Sequence, residues 1–455
     1  MNRSSETLRA WDKAHLWHPF TAQAEWNASE PLIVDHGEGI YLVDTEGRRY
    51  IDGVGSLWCN VHGHRHPTLD AAIREQLGRI AHSTMLGLTH APAIELARQL
   101  VERAPDGLTR VFFSDDGATA VEVAIKMAFQ YWQQKTDPEP RRTRFVAIEG
   151  AYHGDTLGDV SLGGVDRFHK MFSPLLFSAL RAPSPYCYRC PLHLQTPDCG
   201  TACLDALDRL LAEHAGEVAA VVVEPLVQGA AGIVVHPEGY LKGLREITRK
   251  HRTFLIADEV AVGFGKTGTL FACEQESVAP DFLCVAKGLS GGYLPIAATL
   301  TTEEVYSAFD ATADEDKTFQ HGHTFGGNPL GANVSLANLR IFDEERTLEA
   351  IQPRIAFLNR KLAEFQSLRH VGDIRQRGLI AGIELVADRE TKRPFPTSWH
   401  VGERICDLAR SHGLFIRPIG DVLIVMPPLV INEAQLEEML TIMFTCTKAV
   451  TEALP

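Results

Sequence analysis

The sequence contains no run of about 18 apolar residues, so no segment is expected to cross a membrane as a helix. Its first segment, MNRSSETLRAWDK, mixes charges and has no apolar centre, which is not typical of a secretory signal. Positive charge is also scarce, since 44 Lys and Arg residues stand against 58 Asp and Glu residues and the net charge is −14. Nucleic acid and anionic lipid repel a net anion, so neither is expected as a partner. We therefore expect a soluble cytoplasmic protein.

Cysteine is sparse and odd in number, with nine residues in a chain of 455. A secreted disulfide framework is not expected from this usage. Four of the cysteines lie close together, at Cys187, Cys190, Cys199 and Cys203. Their spacing allows either a zinc site or a surface loop of reduced thiols, and the Pro-rich surroundings favour the loop. We predict no bound metal, and a zinc-binding module without catalysis remains an alternative.

The middle of the chain alternates apolar runs with helical patterns, which predicts an α/β fold. The runs are FVAIEG, VAAVVVEPLV, FLIADEV and FLCVAKG, and stretches such as LDALDRLLAEHA lie between several of them. Strands of nearly continuous Val, Ile, Leu and Ala between helices are typical of a mostly parallel sheet that is buried on both faces. After about Asn328 the pattern changes to that of a separate α+β domain. Chemistry in parallel sheets gathers at the carboxyl ends of the strands.

Charged residues follow two of these apolar strands, with Asp258 after LIA and Lys287 after LCVA. One interpretation is a buried ion pair, because neither charge is stable in an apolar setting without a partner. The other is a Schiff-base lysine, kept neutral by desolvation, with an acid that holds the pyridine nitrogen of pyridoxal phosphate protonated. Two loops would complete such a site. The start of a helix at Gly117 offers N–H groups to a phosphate, and Tyr152 can stack on a flat ring.

Two other motifs are weaker. The stretch GFGKTG at 263–268 is similar to a nucleotide-binding P-loop, but the glycine required five places before Gly265 is Val260. We expect no ATP-binding function from it. His62, His64 and His66 are expected to be turn histidines, because no other metal-ligand type lies among them.

Taken together, six stretches resemble the class III aminotransferases of the fold type I pyridoxal-phosphate enzymes. In chain order they are SDDGATAVEVAIKMA, AYHGDTLG, VVVEPLVQG, LIADEVAVGFGKTG, VAKGLSGGYLPIAA and HGHTFGGNP. The resemblance implies a large domain with a seven-stranded sheet at residues 67–333, and a small α+β domain built from both chain ends, 1–66 and 334–455. It also implies a homodimer with the active site at the subunit boundary.

The resemblance assigns roles residue by residue. Lys287 would be the Schiff-base lysine and Asp258 the partner of the pyridine nitrogen, while Tyr152 would stack on the ring. The other cofactor contacts would come from Gly117, Ala118, Glu224, Val260 and, from the partner subunit, Thr324. Substrate contacts would come from Phe20, Trp58, Tyr152, Gly322, Lys287 and Arg417.

Within the family the chain is most similar to the branch that aminates 8-amino-7-oxononanoate in biotin biosynthesis. The stretches that support this are WHPFT, SLWCNVHGHRHP, THAPAIELA, AFQYW and IRPIGDVLIVMPP. In that branch a C-terminal arginine, matched here by Arg417, binds a substrate carboxylate through its bidentate fork. An ω-amino-acid:pyruvate transaminase is the alternative, because it shares every cofactor residue.

The amino donor stays open between S-adenosylmethionine and lysine. Members that use S-adenosylmethionine carry Tyr, a Trp-Trp pair and Pro where this chain has Phe20, Leu57-Trp58 and His323. Members that are similar to this chain at those places use lysine, so we predict lysine as an effective donor. The usual arginine of GFGRTG is Lys266 here, which removes a bidentate group near the substrate.

Overall fold

The structure is a computed structural model that describes residues 4–312 and 314–454. The helices are α1 (Ser5–His15), α2 (Gln23–Ala28), α3 (Gly55–Trp58), α4 (Pro67–Leu77), α5 (Ala91–Arg103), α6 (Gly117–Gln134), α7 (Leu157–Leu162), α8 (Asp166–His169), α9 (Ala202–Glu213), α10 (Tyr240–Lys250), α11 (Glu303–Ser307), α12 (Pro329–Glu344), α13 (Thr347–Leu362), α14 (Val401–Ser411) and α15 (Glu433–Glu452). Short 3-10 turns lie at Lys170–Leu175, Ala272–Glu276, Lys287–Ser290, Glu315–Lys317, Ala363–Ser367 and Thr397–Trp399.

The strands are β1 (Val34–Glu38), β2 (Tyr41–Asp44), β3 (Arg49–Asp52), β4 (Leu108–Ser114), β5 (Arg144–Ile148), β6 (Leu180–Ala182), β7 (Val218–Val223), β8 (Val227–Gln228), β9 (Val234–Val235), β10 (Phe254–Asp258), β11 (Phe282–Val285), β12 (Ala297–Thr302), β13 (Val371–Arg377), β14 (Ile380–Leu385), β15 (Leu414–Phe415), β16 (Pro418–Ile419) and β17 (Val422–Val425).

Seven strands form the main sheet in the order β4-β12-β11-β10-β7-β5-β6. Neighbours from β11 to β6 pair in parallel, whereas β12 pairs antiparallel with both β11 and β4. Only β12 therefore runs against the other strands of this sheet. The predicted α/β fold with a mostly parallel seven-stranded sheet is confirmed.

The central strands are apolar along their whole length because helices cover both faces of the sheet. In β7, Val221 and Val223 belong to one core cluster, while Ala220 and Val222 belong to the other. This alternation follows from the two-residue period of a strand. Helix α6 lies on one face against β7, β10, β11 and β12, and α9 and α10 contact the sheet from the other core.

The two ends of the chain meet in a second region. Strands β1, β2 and β3 form one sheet with β15, in which β3 pairs in parallel with β15, Leu414 lies opposite Ile51 and Phe415 lies opposite Asp52. A four-stranded antiparallel sheet follows in the order β13-β14-β17-β16, and α14 and α15 pack on each other. The predicted boundary between 67–333 and 334–455 lies inside helix α12, which contacts α4, α5 and α13. The exact division into domains therefore stays a proposal.

None of the helices in the described ranges is both long enough and apolar enough to span a membrane.

Candidate active site

A cavity of about 1060 Å³ opens at the carboxyl ends of the main strands, between them and the two chain ends. Eight of the predicted site residues line it: Phe20, Trp58, Gly117, Ala118, Tyr152, Val260, Lys287 and Arg417. Asp258 and Glu224 lie behind this lining. Asp258 is hydrogen-bonded to the lining residues His153 and Val260, and Glu224 is hydrogen-bonded to Tyr152. Gly322 and Thr324 are exposed and do not line the cavity of their own chain.

Lys287 lies just beyond the end of β11, with its Nζ atom 4.9 Å from the centre of the Trp58 ring. Its backbone φ of +43° is unusual for a residue with a side chain, and such strain concentrates at functional sites. Burial lowers the pKa of the Lys287 ammonium, and the Asp258 carboxylate opposes this without cancelling it. The amine is thus available in its unprotonated, nucleophilic form at lower pH than a free lysine.

Asp258 is the last residue of β10 and is almost fully buried. Its Oδ1 accepts the N–H of Val260 at 3.0 Å, and its Oδ2 lies 2.7 Å from Nδ1 of the buried His153. A carboxylate only accepts, so His153 donates through Nδ1 and holds the acid in one orientation. This arrangement presents a fixed anion to a cationic ring nitrogen.

The start of α6 forms a second polar feature of the cavity. The Asp116 side chain accepts the N–H of Thr119 at 2.9 Å, and the Thr119 hydroxyl accepts the N–H of Asp116 at 3.0 Å. The N–H groups of Gly117 and Ala118 have no acceptor within 4–312 and 314–454. A Cβ at Gly117 would lie 2.4 Å from Val260, so only glycine fits there. Free N–H groups at a helix start are a binding site for phosphate.

Tyr152 follows β5 and is held by Glu224. One carboxylate oxygen of Glu224 accepts the N–H of Tyr152 at 3.1 Å, and the other accepts the N–H of Gly229 at 2.8 Å. Burial raises the pKa of Glu224 to about 7, although these two donors favour the charged form. The Tyr152 hydroxyl donates to Asp155 at 2.7 Å. Glu224 therefore fixes the backbone that carries the Tyr152 ring.

The turn α3 places Trp58 opposite Lys287. Ser56, Leu57 and Trp58 all have left-handed backbone conformations, with φ of 48°, 66° and 69°. Asp52 compensates by accepting both the N–H of Ser56 at 2.9 Å and its hydroxyl at 2.7 Å. Leu57 and Phe20 remain 55% and 60% exposed on the cavity wall.

Lys266 does not reach the cavity. Its Nζ is buried and donates to the carbonyl oxygens of Asn60 at 2.7 Å and Pro427 at 3.4 Å, and burial lowers its pKa to about 8. Lys266, the lysine of the P-loop-like stretch, therefore connects the large domain to both chain ends through hydrogen bonds.

The other candidate metal ligands do not line this cavity. His62 is buried against Phe342, with a ring separation of 4.9 Å, and burial lowers its pKa to about 3. His64 contacts Asp52 at 3.1 Å. Cys187, Cys190, Cys199 and Cys203 line a separate cavity of about 420 Å³. Across the described part of the chain, no group of three or more His, Cys, Asp or Glu residues is arranged to hold a metal ion.

The arrangement suits a phosphorylated pyridine aldehyde. The helix start offers N–H donors to the phosphate, Gly117 leaves room beside Val260, and Asp258 provides the anion for the ring nitrogen. Lys287 supplies a primary amine in the same cavity. The cavity thus offers a suitable group for the phosphate, for the ring nitrogen and for the aldehyde of such a cofactor.

This chain belongs to the class III aminotransferases, because the family model described as "Aminotransferase class-III" matches residues 22–447. It is 56% identical, over 98% of its length and 82% of the relative's, to adenosylmethionine-8-amino-7-oxononanoate aminotransferase of Nitratidesulfovibrio vulgaris. The crystal structure of the enzyme of that name from Methanocaldococcus jannaschii is 42% identical and superposes with a TM-score of 0.93, covering 98% of this chain and 99% of that one. The ω-transaminase of Pseudomonas jessenii in complex with PMP is 31% identical, with a TM-score of 0.93 and 98% coverage of both chains.

Two groups of the site were not predicted from the sequence. His153 was not singled out, although it adjoins Tyr152 in a polar loop after a strand, which is the signal that identified Tyr152. Arg167 and Phe168 also line the cavity. They lie on α8, a helix of four residues that is too short to produce a recognisable hydrophobic period.

Proposed function

We propose that this aminotransferase binds pyridoxal phosphate in the cavity and transfers an amino group to 8-amino-7-oxononanoate, giving 7,8-diaminononanoate for biotin biosynthesis. The observation that carries the proposal is the meeting of Lys287, the Asp258–His153 pair, the α6 start and Arg417 in or against one cavity. The acceptor is supported by three relatives named adenosylmethionine-8-amino-7-oxononanoate aminotransferase, which are 50 to 56% identical over at least 95% of the chain.

We also propose a cytoplasmic homodimer in which Gly322 and Thr324 complete the partner's site. Both residues are exposed, as are large apolar side chains such as Trp17 and Leu86, each 89% accessible in the single chain. Apolar surface of this kind is typical of an interface between subunits. The nine cysteines are all unpaired, which suits a reducing compartment.

Pyridoxal phosphate, when bound, supplies an aldehyde that carries the amino group between substrates and a ring that accepts the electron pair left by a departing Cα proton. Lys287 Nζ would take that proton from the substrate carbon and deliver it to the cofactor carbon that receives the amino group, which its lowered pKa permits. Asp258, oriented by His153, would keep the ring nitrogen protonated. Tyr152 and Val260 would hold the ring between them, and the N–H groups of the α6 start would hold the phosphate.

The deciding experiment is an assay of the cofactor-loaded protein with 8-amino-7-oxononanoate and with pyruvate as separate acceptors. Turnover of the first acceptor supports the proposal. Turnover of pyruvate alone would instead favour the ω-amino-acid:pyruvate alternative, which is supported by the structural similarity to the P. jessenii ω-transaminase.

Arg417→Lys is expected to weaken binding of the carboxylate acceptor and to leave the cofactor absorption unchanged. Arg417 lines the cavity, and no ion pair involves it in the described residues, so its guanidinium is free for a ligand. Lysine keeps the charge but loses the planar fork, which costs roughly 1.5–3 kcal/mol for hydrogen bonds to a charged group. Steady-state KM for the acceptor is the measurement. A changed absorption spectrum with an unchanged KM would place Arg417 at the cofactor instead.

The relatives' names indicate S-adenosylmethionine as the amino donor, whereas the residues of the cavity wall favour lysine. The sulfonium and adenosine of S-adenosylmethionine gain from aromatic walls, and exposed Leu57 and Phe20 offer less than Trp and Tyr would. We expect wild type to use lysine effectively. The double change Leu57→Trp and Phe20→Tyr is expected to raise the kcat/KM ratio for S-adenosylmethionine over lysine by up to roughly 1–2 kcal/mol.

The matched control for this prediction is Leu77→Trp, an exposed position at the end of α4 that is not part of the cavity lining. Each protein is assayed with the two donors offered separately. Efficient use of S-adenosylmethionine by wild type, with lysine ignored, would show that the interpretation of the wall is wrong and leave the aminotransferase assignment intact.

A further inference from the structure

Under the proposed function, on which this inference rests, one cavity must bind two different carboxylates in turn. The amino donor carries a carboxylate, and the acceptor carries another at the far end of a long apolar chain. The two substrates share the reacting position near Lys287 but differ in shape. The donor and acceptor carboxylates are therefore expected to lie against different parts of the cavity wall, where one arginine could not easily reach both.

Two side chains that are always cationic line the cavity together with Lys287, and they are Arg167 and Arg417. Both are exposed, and neither forms an ion pair or a side-chain hydrogen bond within the residues for which positions are described. The third candidate cation, Lys266, is buried and already donates to two carbonyl oxygens. The cavity therefore has two guanidinium groups, and only two, that are free to bind a ligand anion in this part of the molecule.

The acidic groups of the cavity do not neutralise Arg167. Asp155 accepts the Tyr152 hydroxyl at 2.7 Å, and Asp116 caps α6 through the N–H of Thr119. Asp115 lies 3.1 Å from His323. The Arg167 guanidinium is exposed and has no acidic partner, although the protein has a net charge of −14. It is therefore suited to bind an anionic group of a substrate.

The two arginines approach the cavity from different elements. Arg167 lies on α8, where the Phe168 ring packs edge-on against Phe20 at 5.3 Å and against Tyr152 at 6.0 Å. Arg417 lies between β15 and β16, next to the lining residues Pro418 and Ile419. Arg167 thus adjoins the aromatic wall that contains Phe20, one of the positions at which the donor classes are predicted to differ.

We propose that Arg167 binds the carboxylate of the amino donor, while Arg417 binds the carboxylate of the acceptor. The contacts of Phe168 with Phe20 and Tyr152 hold α8 against the donor wall, so the Arg167 guanidinium projects from a positioned element. The apolar residues beside Arg417 suit the long chain of the acceptor. Two separate anchors let the same reacting centre accept substrates of different shape.

The test compares Arg167→Gln, Arg417→Gln and, as control, Arg404→Gln, an exposed arginine of α14 outside the cavity lining. Single-turnover absorption measurements on the cofactor-loaded protein give an apparent dissociation constant for each substrate in its own half-reaction. Calorimetric titration with hexanoate, a deaminated form of lysine, and with nonanoate, a form of the acceptor without its keto and amino groups, measures binding without turnover.

Arg167→Gln is expected to weaken donor and hexanoate binding by about tenfold to a hundredfold and to leave the acceptor and nonanoate constants unchanged. Arg417→Gln is expected to do the reverse, and Arg167→Lys to recover part of the lost donor affinity. Unchanged donor binding in Arg167→Gln, or weaker binding of the acceptor alone, would overturn this inference. If wild type aminates no 8-amino-7-oxononanoate with any donor, the proposed function fails instead, so the two failures are distinguishable.

Discussion

Lys287→Ala is expected to abolish turnover while the protein keeps its fold and still binds pyridoxal phosphate. Removal of the Nζ atom removes both the nucleophilic amine and the group that moves the Cα proton. General acid–base catalysis alone contributes about 10²–10⁴-fold, so the loss of both roles exceeds that range. Lys287 is the only lysine that lines the cavity in the described part of the chain, and the nearby Lys266 donates instead to the Asn60 and Pro427 carbonyls.

The measurements are multiple-turnover kinetics, circular dichroism and the visible absorption of the bound cofactor. Lys448→Ala, an exposed position on α15, is the matched control and should behave as wild type. A small primary amine added to Lys287→Ala is expected to restore part of the proton-transfer rate, which a purely structural role would not allow. Normal multiple-turnover kinetics in the variant would contradict the assignment of Lys287.

The fold was predictable where one pattern of apolar residues extends over a whole helix or strand. All six residues of β7, VAAVVV, are buried, and a β-branched run of this kind is typical of a strand covered on both faces. Asp258 and Lys287 stood out for the same reason, since a charge directly after such a run needs a function or a partner. Their presence in and behind one cavity follows from the parallel direction of β10 and β11.

The contacts between distant residues were not predictable in the same way. His153 and Asp258 are 105 positions apart, and their hydrogen bond depends on β5 and β10 lying on either side of β7. Lys266 was expected near the substrate, but its side chain is buried against carbonyl groups from both chain ends, which no local pattern encodes. Gly322 and Thr324 do not line the cavity of their own chain, and the role predicted for Thr324 depends on a second subunit, which one chain does not contain.

Asp258→Asn is expected to retain the cofactor and to slow the first half-reaction by several orders of magnitude, where each tenfold corresponds to about 1.4 kcal/mol. An amide is neutral, so it cannot balance a protonated ring nitrogen, and the ring then accepts electron density poorly. His153 amplifies the change, because its Nδ1–H faces a carboxylate oxygen at 2.7 Å in a buried setting and would meet either a weaker acceptor or an opposing N–H.

Single-turnover rates of the cofactor-loaded protein with one amino donor measure this half-reaction directly. Asp208→Asn is a matched control, because that carboxylate pairs with Lys250 and His251 on the surface and is not part of the cavity lining. Equal cofactor content in both variants separates a chemical defect from a loss of binding. If Asp258→Asn reacted at the wild-type rate, the buried acid would be structural, which would favour the buried ion pair with Lys287 that the sequence also allowed. A slow half-reaction with full cofactor content would instead identify the pair as the group that makes the ring an electron acceptor.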